Sequence, residues 1–244
     1  MQKVFERPKG LTDVEFGYCS GCMHSIIHRM VAEVMDELDI LDNTIGVCPV
    51  GCAVFMYDYM SCDMIEAAHG RAPAVATGVK RVSPDSIVWA YQGDGDLASI
   101  GTAEIIHAAA RGENISVIFI NNTTYGMTGG QMAPTTLIGQ RATTCPSGRD
   151  PAANGYPIRV CEMLATLEGP SYLERVAPTT PAGMAKTKKA IKHSFENQIA
   201  CKGFSMVEIL CTCPTHWRLS PVECLSWVDE NMTPVFPPGV FVDR

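Results

Sequence analysis

Ser86-Ile87-Val88-Trp89-Ala90-Tyr91-Gln92-Gly93-Asp94-Gly95-Asp96 and, further along, Ile115-Ser116-Val117-Ile118-Phe119-Ile120-Asn121-Asn122 are the stretches on which the fold of this chain turns. Residues 86–92 and 115–121 are apolar runs of strand length. The second is rich in β-branched residues and nearly continuous in apolar character, as expected of a strand buried on both faces. Between them, residues 97–111 carry a helical pattern that closes at Gly112, a natural C-cap. Strand, helix, strand is a parallel βαβ unit, and ligands of such sheets bind beyond the carboxyl ends of the strands. Gly93-Asp94-Gly95-Asp96 and Asn121-Asn122 stand at those ends. The glycines let backbone approach a phosphate, the helix N-terminus adds N–H groups and a positive dipole end, and Asp94 offers the hard oxygen that Mg²⁺ prefers.

Working outward, residues 171–177 and 205–211 are further strand-like runs. Residues 23–38 place Ile26, Ile27, Met30, Val31, Val34 and Leu38 at helical spacing, and residues 158–167 and 181–200 complete the helices. The alternation predicts an α/β fold, a doubly wound and mostly parallel sheet in a single domain over residues 1–230. The tail from Asn231, with Pro234, Pro237 and Pro238, reads as an extended arm over 231–244. Residues 122–155 have little periodicity and much Gly, Thr and Pro, and so long a loop in a compact domain is usually functional.

The 244 residues are 46% hydrophobic and 18% charged, which suffices for one substantial core. A formal charge of −7 argues against binding nucleic acid, because phosphate contacts need clustered Lys and Arg. Lys186, Lys188, Lys189 and Lys192 are the local exception. They are expected to be a solvated helix face, with a docking patch for an acidic electron carrier as the sharper alternative. No run approaches the roughly 18–20 apolar residues that cross a bilayer, and the N-terminus lacks the apolar segment of a secretory signal. The expectation is a cytoplasmic protein with no membrane partner.

Eleven cysteines are many for such a chain, and in a reducing compartment clustered cysteines point to metal. Cys19-Ser20-Gly21-Cys22 precedes the first helix, Cys48-Pro49 ends a short apolar run, and Cys213-Pro214 ends the last core strand. Four thiolates from separated loops suit an N-terminal loop binding a [4Fe–4S] cluster, or a structural zinc, and thiolates by themselves do not decide between the two. Cys52, Cys62, Cys145, Cys161, Cys201 and Cys224 are expected to be packing residues.

The order strand–GDG–helix–strand–NN resembles the motif of thiamine-diphosphate enzymes. The resemblance implies Mg²⁺ held by Asp94, the Asn122 side chain and the Thr124 carbonyl, with Gly93, Gly95, Asp96, Gly126, Met127 and Thr128 around the cofactor. More of the chain is similar to the beta subunits of 2-oxoacid:ferredoxin oxidoreductases. The resemblance rests on Tyr18-Cys19-Ser20-Gly21-Cys22-Met23-His24, Cys48, Ala68-His69-Gly70-Arg71-Ala72 with Ala76-Thr77-Gly78-Val79-Lys80, Tyr125-Gly126-Met127-Thr128-Gly129-Gly130-Gln131, Pro134-Thr135-Thr136 and Cys213-Pro214-Thr215. It runs from about Phe16 to beyond Cys213. It implies a [4Fe–4S] cluster on Cys19, Cys22, Cys48 and Cys213, with Cys211 the competitor for the fourth place.

The same resemblance implies coenzyme A-dependent oxidative decarboxylation of a 2-oxoacid, with electrons passing through the cluster to ferredoxin. His24 and His69 are the candidate catalytic residues, and Glu104 is expected to be an ordinary helix-face carboxylate. Thiamine enzymes place a glutamate on the pyrimidine ring, and no segment here looks like the domain that carries it. An alpha subunit is implied as its source, with gamma and ferredoxin-like delta subunits as further partners. Gly148-Arg149-Asp150-Pro151, Gly155-Tyr156-Pro157-Ile158-Arg159 and the apolar Met127 look most like the branched-chain (2-oxoisovalerate) type. The 2-oxoglutarate type comes second, and a non-redox thiamine lyase with structural zinc is the alternative from another class.

Overall fold

A computed structural model of the protein describes residues 6–244. Its strands are β1 (Thr44–Cys48), β2 (Asp63–Glu66), β3 (Ile87–Gly93), β4 (Ser116–Asn121), β5 (Thr124–Tyr125), β6 (Gln131–Met132), β7 (Pro170–Val176), β8 (Phe204–Leu210) and β9 (Gly239–Asp243). Its α-helices are α1 (His24–Leu38), α2 (Met56–Tyr59), α3 (Ala72–Val82), α4 (Thr102–Ala110), α5 (Pro151–Asn154), α6 (Val160–Leu164), α7 (Pro181–Ile199), α8 (Pro214–Trp217) and α9 (Pro221–Trp227). Seven strands form one sheet in the order β2-β1-β3-β4-β8-β7-β9, parallel except for β9, and β5 pairs with β6 in a separate hairpin.

The apolar runs explain the sheet's centre. Every residue of β4, β7 and β8 is buried, as are the first six of β3. The side chains of one face, Trp89, Tyr91, Ile118, Ile120, Val207 and Ile209, join a core with Ile27, Val31 and Met35 of α1 and Ile191 and Phe195 of α7. Those of the other, Val88, Ala90, Val117 and Phe119, pack with Ala76 of α3, Ile105 of α4 and Val160 of α6. Each fully buried large apolar side chain contributes about 1.5–3 kcal/mol. Layers of helix on both faces make the doubly wound α/β architecture expected from the alternation.

The helix expected over 97–111 opens instead with a turn of π-helix at Asp96–Ile100 before α4 begins. Gly70 presses on this turn: a Cβ there would lie 2.6 Å from the Gly101 nitrogen, and one on Gly101 only 2.5 Å from the Gly70 carbonyl oxygen. The tail is extended but is no free arm. Residues Val228–Met232 form another π turn, Met232 and Phe236 are buried, and β9 adds to the main sheet antiparallel to β7. No helix among the described residues is long and apolar enough to cross a membrane.

Candidate active site

Parallel pairing of β3 with β4, Gly93 opposite Ile120, brings the GDG and NN segments side by side at the carboxyl ends of two central strands. Asp94 is 2% exposed. Its carboxylate accepts from the Gly95 N–H at 2.8 Å and from the Thr135 hydroxyl at 2.5 Å. Burial nevertheless outweighs these hydrogen bonds and pushes its pKa up to about 7. A buried carboxylate held this way calls for a cation, and a divalent ion reverses the balance in favour of the charged form. Asn122, also buried, accepts from the Thr124 N–H at 3.2 Å. The intervening Thr123 has a left-handed φ of 60°, uncommon for a β-branched residue. Its strain is held by three contacts: its N–H donates to Asn121 Oδ1 (3.3 Å), its carbonyl accepts from the Thr136 hydroxyl (2.5 Å), and its hydroxyl accepts from Gln140 Nε2 (2.8 Å). The Pro134-Thr135-Thr136 segment is thus a clasp on both halves of the site.

A pocket of about 100 Å³ opens here, lined by Gly93, Asp94, Gly95, Asp96, Asn122, Thr124, Gly126, Met127 and Thr128, together with His24, His69, Cys52 and neighbours of Cys52. All nine residues expected around the cofactor, and both expected histidines, therefore converge. Two of them act through neighbours. Asp96 accepts from the Gly70 N–H (2.7 Å) and Gln92 Nε2 (2.5 Å), and it holds His69 Nδ1 at 2.5 Å. Thr128 is tied to Gln131 through its hydroxyl, at 2.6 Å. Gly95 must be glycine, because a Cβ would stand 2.1 Å from the Tyr125 ring. No lysine or arginine lines the pocket. With no cationic side chain in the lining, a diphosphate here would need backbone N–H groups and a cation, for which Asp94 offers the hard oxygen ligand Mg²⁺ prefers.

His24 is buried, stacks on Tyr18 and meets the Tyr91 hydroxyl through Nδ1 at 2.6 Å. Burial lowers its pKa to about 4, so the ring is neutral at physiological pH. Tyr91 was not a sequence candidate; as the inward residue of a buried strand it looked like packing alone.

The thiols group differently from expectation. Cys19 and Cys22 lie on a turn closed by Cys22 N–H to the Cys19 carbonyl at 3.0 Å, and the Thr212 hydroxyl anchors this turn to the end of β8 through the Gly21 carbonyl at 2.7 Å. The Sγ atoms of Cys52 and Cys213 lie 3.3 and 3.6 Å from the point a Cβ on Gly126 would occupy. Cys52 and Cys213 are pushed up to about 11 and about 12, mainly by burial, with neighbouring Cys22 contributing to both and Cys19 to Cys52. The expected third thiol, Cys48, is elsewhere: as the last residue of β1 it is fully buried, and its Sγ lies 3.6 Å from the Ile65 carbonyl oxygen. Cys52, expected to be a packing residue, instead lines the pocket beside Cys213. Cys211 is buried, its thiol lying 3.6 Å from the Thr212 carbonyl oxygen, and its nearness to Cys22 lowers the pKa of Cys22. Among the described residues no three His, Cys, Asp or Glu side chains already converge as a metal centre. Gly126, lacking a side chain, leaves room beside Cys52 and Cys213, and with Cys19 and Cys22 on the neighbouring turn the donor set is chemically that of a four-thiolate cluster or zinc.

The remaining candidates are structural. Glu104 pairs with Arg71. Lys188 contacts Glu33 and Glu37 at 2.7 Å, Lys192 contacts Glu37 at 2.9 Å, and Lys186 reaches Glu174 at 3.5 Å, leaving the lysine row largely neutralised by α1 and β7. Arg149 is buried and donates to the carbonyls of Pro134, Thr136, Gly155 and Tyr156 at 2.7–2.9 Å, organising the long loop.

Comparison with known proteins follows this geometry. Residues 49–209 match the family described as thiamine pyrophosphate enzyme, C-terminal TPP binding domain. The ketoisovalerate oxidoreductase subunit VorA of Methanothermobacter thermautotrophicus is 48% identical over 244 residues, all of this chain but 51% of that protein. The chain thus spans about half the length of this relative. The 2-oxoglutarate synthase subunit KorB of Methanocaldococcus jannaschii is 35% identical over 220 residues, 88% of this chain and 77% of that one. Among solved structures, the 2-oxoglutarate:ferredoxin oxidoreductase from Magnetococcus marinus, with 2-oxoglutarate, coenzyme A and succinyl-CoA bound, superposes with a TM-score of 0.80 at 25% identity, covering 100% of this chain and 87% of that one.

Proposed function

Since the chain belongs to the thiamine-diphosphate-binding subunits of the 2-oxoacid:ferredoxin oxidoreductases, we propose that it binds thiamine diphosphate, Mg²⁺ and a [4Fe–4S] cluster for the coenzyme A-dependent oxidative decarboxylation of a branched-chain 2-oxoacid, 2-oxoisovalerate. The observation that carries this reading is a shared wall. Cys52 lines the pocket of Asp94 and Asn122, and Gly126 of that pocket touches the space between Cys52 and Cys213. When bound, thiamine diphosphate supplies a carbanion and an electron sink, and the cluster an acceptor of single electrons.

Asp94, the Asn122 side-chain oxygen and the Thr124 carbonyl hold Mg²⁺, while the backbone from Gly93 to Asp96 faces the diphosphate. Cys19, Cys22, Cys52 and Cys213 are the cluster ligands. His24, its Nδ1 engaged by the Tyr91 hydroxyl, presents a neutral ring to the pocket. His69, fixed by Asp96, offers its other nitrogen to the substrate carboxylate or the diphosphate. Val50, Ala53 and Met127 form an apolar wall. A second substrate carboxylate would find no lysine or arginine in this lining, so an apolar side chain is the better fit. No glutamate lines the pocket, so an alpha subunit provides the group on the pyrimidine ring, with ferredoxin receiving the electrons.

The test is kcat/KM for 2-oxoisovalerate, 2-oxoglutarate and pyruvate in the complex assembled with its partner subunits, followed by ferredoxin reduction. The highest value is expected for 2-oxoisovalerate. A preference for either other acid overturns the substrate assignment, and no reduction with any of the three overturns the function.

A further inference from the structure

Thr212-Cys213-Pro214-Thr215-His216 follows the end of β8 and touches three parts of the candidate site. The Thr212 hydroxyl holds the Cys19–Cys22 turn through the Gly21 carbonyl at 2.7 Å, and Cys213 is itself one of the thiols. His216, on α8, reaches across to the turn between β5 and β6, where its Nε2 lies 2.6 Å from the Gly126 carbonyl oxygen. A carbonyl can only accept, so Nε2 carries the proton whether the ring is neutral or charged. The same ring lies against the other end of the turn: a Cβ on Gly130 would stand 2.7 Å from Nδ1.

This turn needs an outside hold. Gly126, Gly129 and Gly130 are three of the five residues from 126 to 130, and glycine loses more conformational freedom on ordering than any other residue. The turn's own hydrogen bonds close its base: the Gly130 N–H donates to the Tyr125 carbonyl at 2.9 Å, and Gln131 Nε2 to the Thr128 carbonyl at 2.9 Å. The Gly126 carbonyl takes its partner from α8 instead. Its position matters on two sides. Gly126, Met127 and Thr128 line the pocket of Asp94 and Asn122, while the Sγ atoms of Cys52 and Cys213 lie 3.3 and 3.6 Å from the place of a Gly126 Cβ. A shift of the Gly126 peptide therefore alters the pocket and its distance from these thiols together.

We propose that His216 is a positioning residue for electron transfer, its Nε2–H holding the Gly126 peptide as the partition between the thiamine pocket and the cluster thiols. The inference rests on the proposed function for the two cofactors, and on the hydrogen bond alone for the hold on the turn. Converting one 2-oxoacid anion and one coenzyme A into acyl-coenzyme A and CO₂ releases two electrons and one proton, and the electrons leave singly, through the cluster, to two oxidised ferredoxins. Each electron crosses the partition, and a slackened turn leaves that path longer and less defined.

The test compares His216→Gln and His216→Phe with wild type in the assembled complex. Gln keeps an N–H donor without the ring, and Phe keeps a ring without the donor. With Phe, kcat for ferredoxin reduction is expected to fall about 10- to 100-fold, the loss typical of a displaced supporting group, with KM for the 2-oxoacid and iron content unchanged. Gln is expected to stay within about threefold of wild type, its donor replacing most of the lost hydrogen bond. Amide exchange of residues 125–131, followed by mass spectrometry, is expected to be about 3- to 10-fold faster in the Phe variant alone, the equivalent of one net hydrogen bond. Activity kept by Phe and lost by Gln makes the ring's packing on Gly130 the role and overturns the proposal, as does loss of iron from the Phe complex or an equal response of both variants. If the wild-type complex oxidises no 2-oxoacid, the proposed function falls, and amide exchange in the full chain still decides the hold on the turn. Equal exchange in all three chains then overturns it.

Discussion

Replacing Glu208 tests how the sheet holds the cofactor loop from behind. Glu208 is fully buried in β8, beside β4. One carboxylate oxygen accepts from Asn121 Nδ2 at 2.8 Å and the other from Arg175 Nε at 2.8 Å. Arg175 is equally buried, and it keeps a second carboxylate, Glu162, at 2.6 and 3.0 Å. Glu208→Leu orphans the Asn121 amide, which costs about 1–3 kcal/mol for a buried polar group. It also removes one of the two carboxylate partners of a buried cation, which keeps Glu162 and the Pro237 carbonyl. Breaking a buried pair outright costs about 3–5 kcal/mol, and the retained Glu162 places this loss at the lower end. The two effects share one network and do not simply add, so a loss of about 4 kcal/mol is expected, a large fraction of the roughly 5–15 kcal/mol that stabilises a domain. Glu208→Gln keeps an acceptor for Asn121 and is expected to lose about half as much. Because Asn121 also accepts the Thr123 N–H, both variants are expected to bind Mg²⁺–thiamine diphosphate more weakly, in the order Leu, Gln, wild type. Urea denaturation gives the stability, and calorimetric titration of the folded fraction gives the affinity. A Leu variant within about 0.5 kcal/mol of wild type, or one less damaged than Gln, refutes the reasoning.

Asp94→Asn is expected to lower Mg²⁺-dependent thiamine diphosphate affinity at least about a hundredfold by calorimetry, and Thr135→Val, which removes only the hydrogen bond to Asp94, about tenfold. Gly95→Ala drives a Cβ into the Tyr125 ring and is expected to weaken the same binding at least about tenfold while leaving the far-ultraviolet circular dichroism unchanged; wild-type affinity would show that the ring moves freely. Burial lowers the pKa of His24 to about 4 and holds His28 well below its ordinary value of about 6.5. Depressed pKa values mean that the unfolded chain takes up protons first, so this contribution is complete above pH ~6.5 and is lost as the pH falls, the loss from His24 reaching about 2 kcal/mol at pH ~5 and His28 adding in the same direction. His28→Phe is expected to flatten that acid limb in denaturation measured from pH 7 to 5, and an unchanged slope would contradict the assignment.

The centre of the sheet was legible because β4 and β8 are nearly continuous apolar runs buried on both faces, and β3 is mostly so, whereas β7 carries the buried Glu174 and Arg175 within its run. α3 was not, since the residues it buries include Ala72, Pro73, Ala76 and Thr77, too small or too polar to print a periodic stripe. β9 pairs with β7 across some seventy residues of sequence and packs Phe241 on the guanidinium of Arg175 at 4.9 Å, a contact no local pattern announces. The cofactor loop was legible because turn chemistry is local: glycines, Asp94 and Asn122 occupy the strand ends themselves. The cysteines were harder. Spacing along the chain treats Cys48 and Cys52 alike, and only the structure places Cys48 inside the last turn of β1 and Cys52 after Gly51, whose φ of 100° turns the chain out toward the pocket. The roles of Tyr91, Glu208 and His216 are likewise relations between distant segments.

Iron and sulfide content with electron paramagnetic resonance, on anaerobically purified and dithionite-reduced wild type, Cys48→Ser and Cys52→Ser, tests most directly that a thiamine site and a redox cluster share one wall of this chain. Wild type and Cys48→Ser are expected to hold about four irons per chain with an S = 1/2 signal, and Cys52→Ser to lose both. Zinc without iron in oxygen-free wild type, or loss of the cluster in Cys48→Ser with retention in Cys52→Ser, would contradict it.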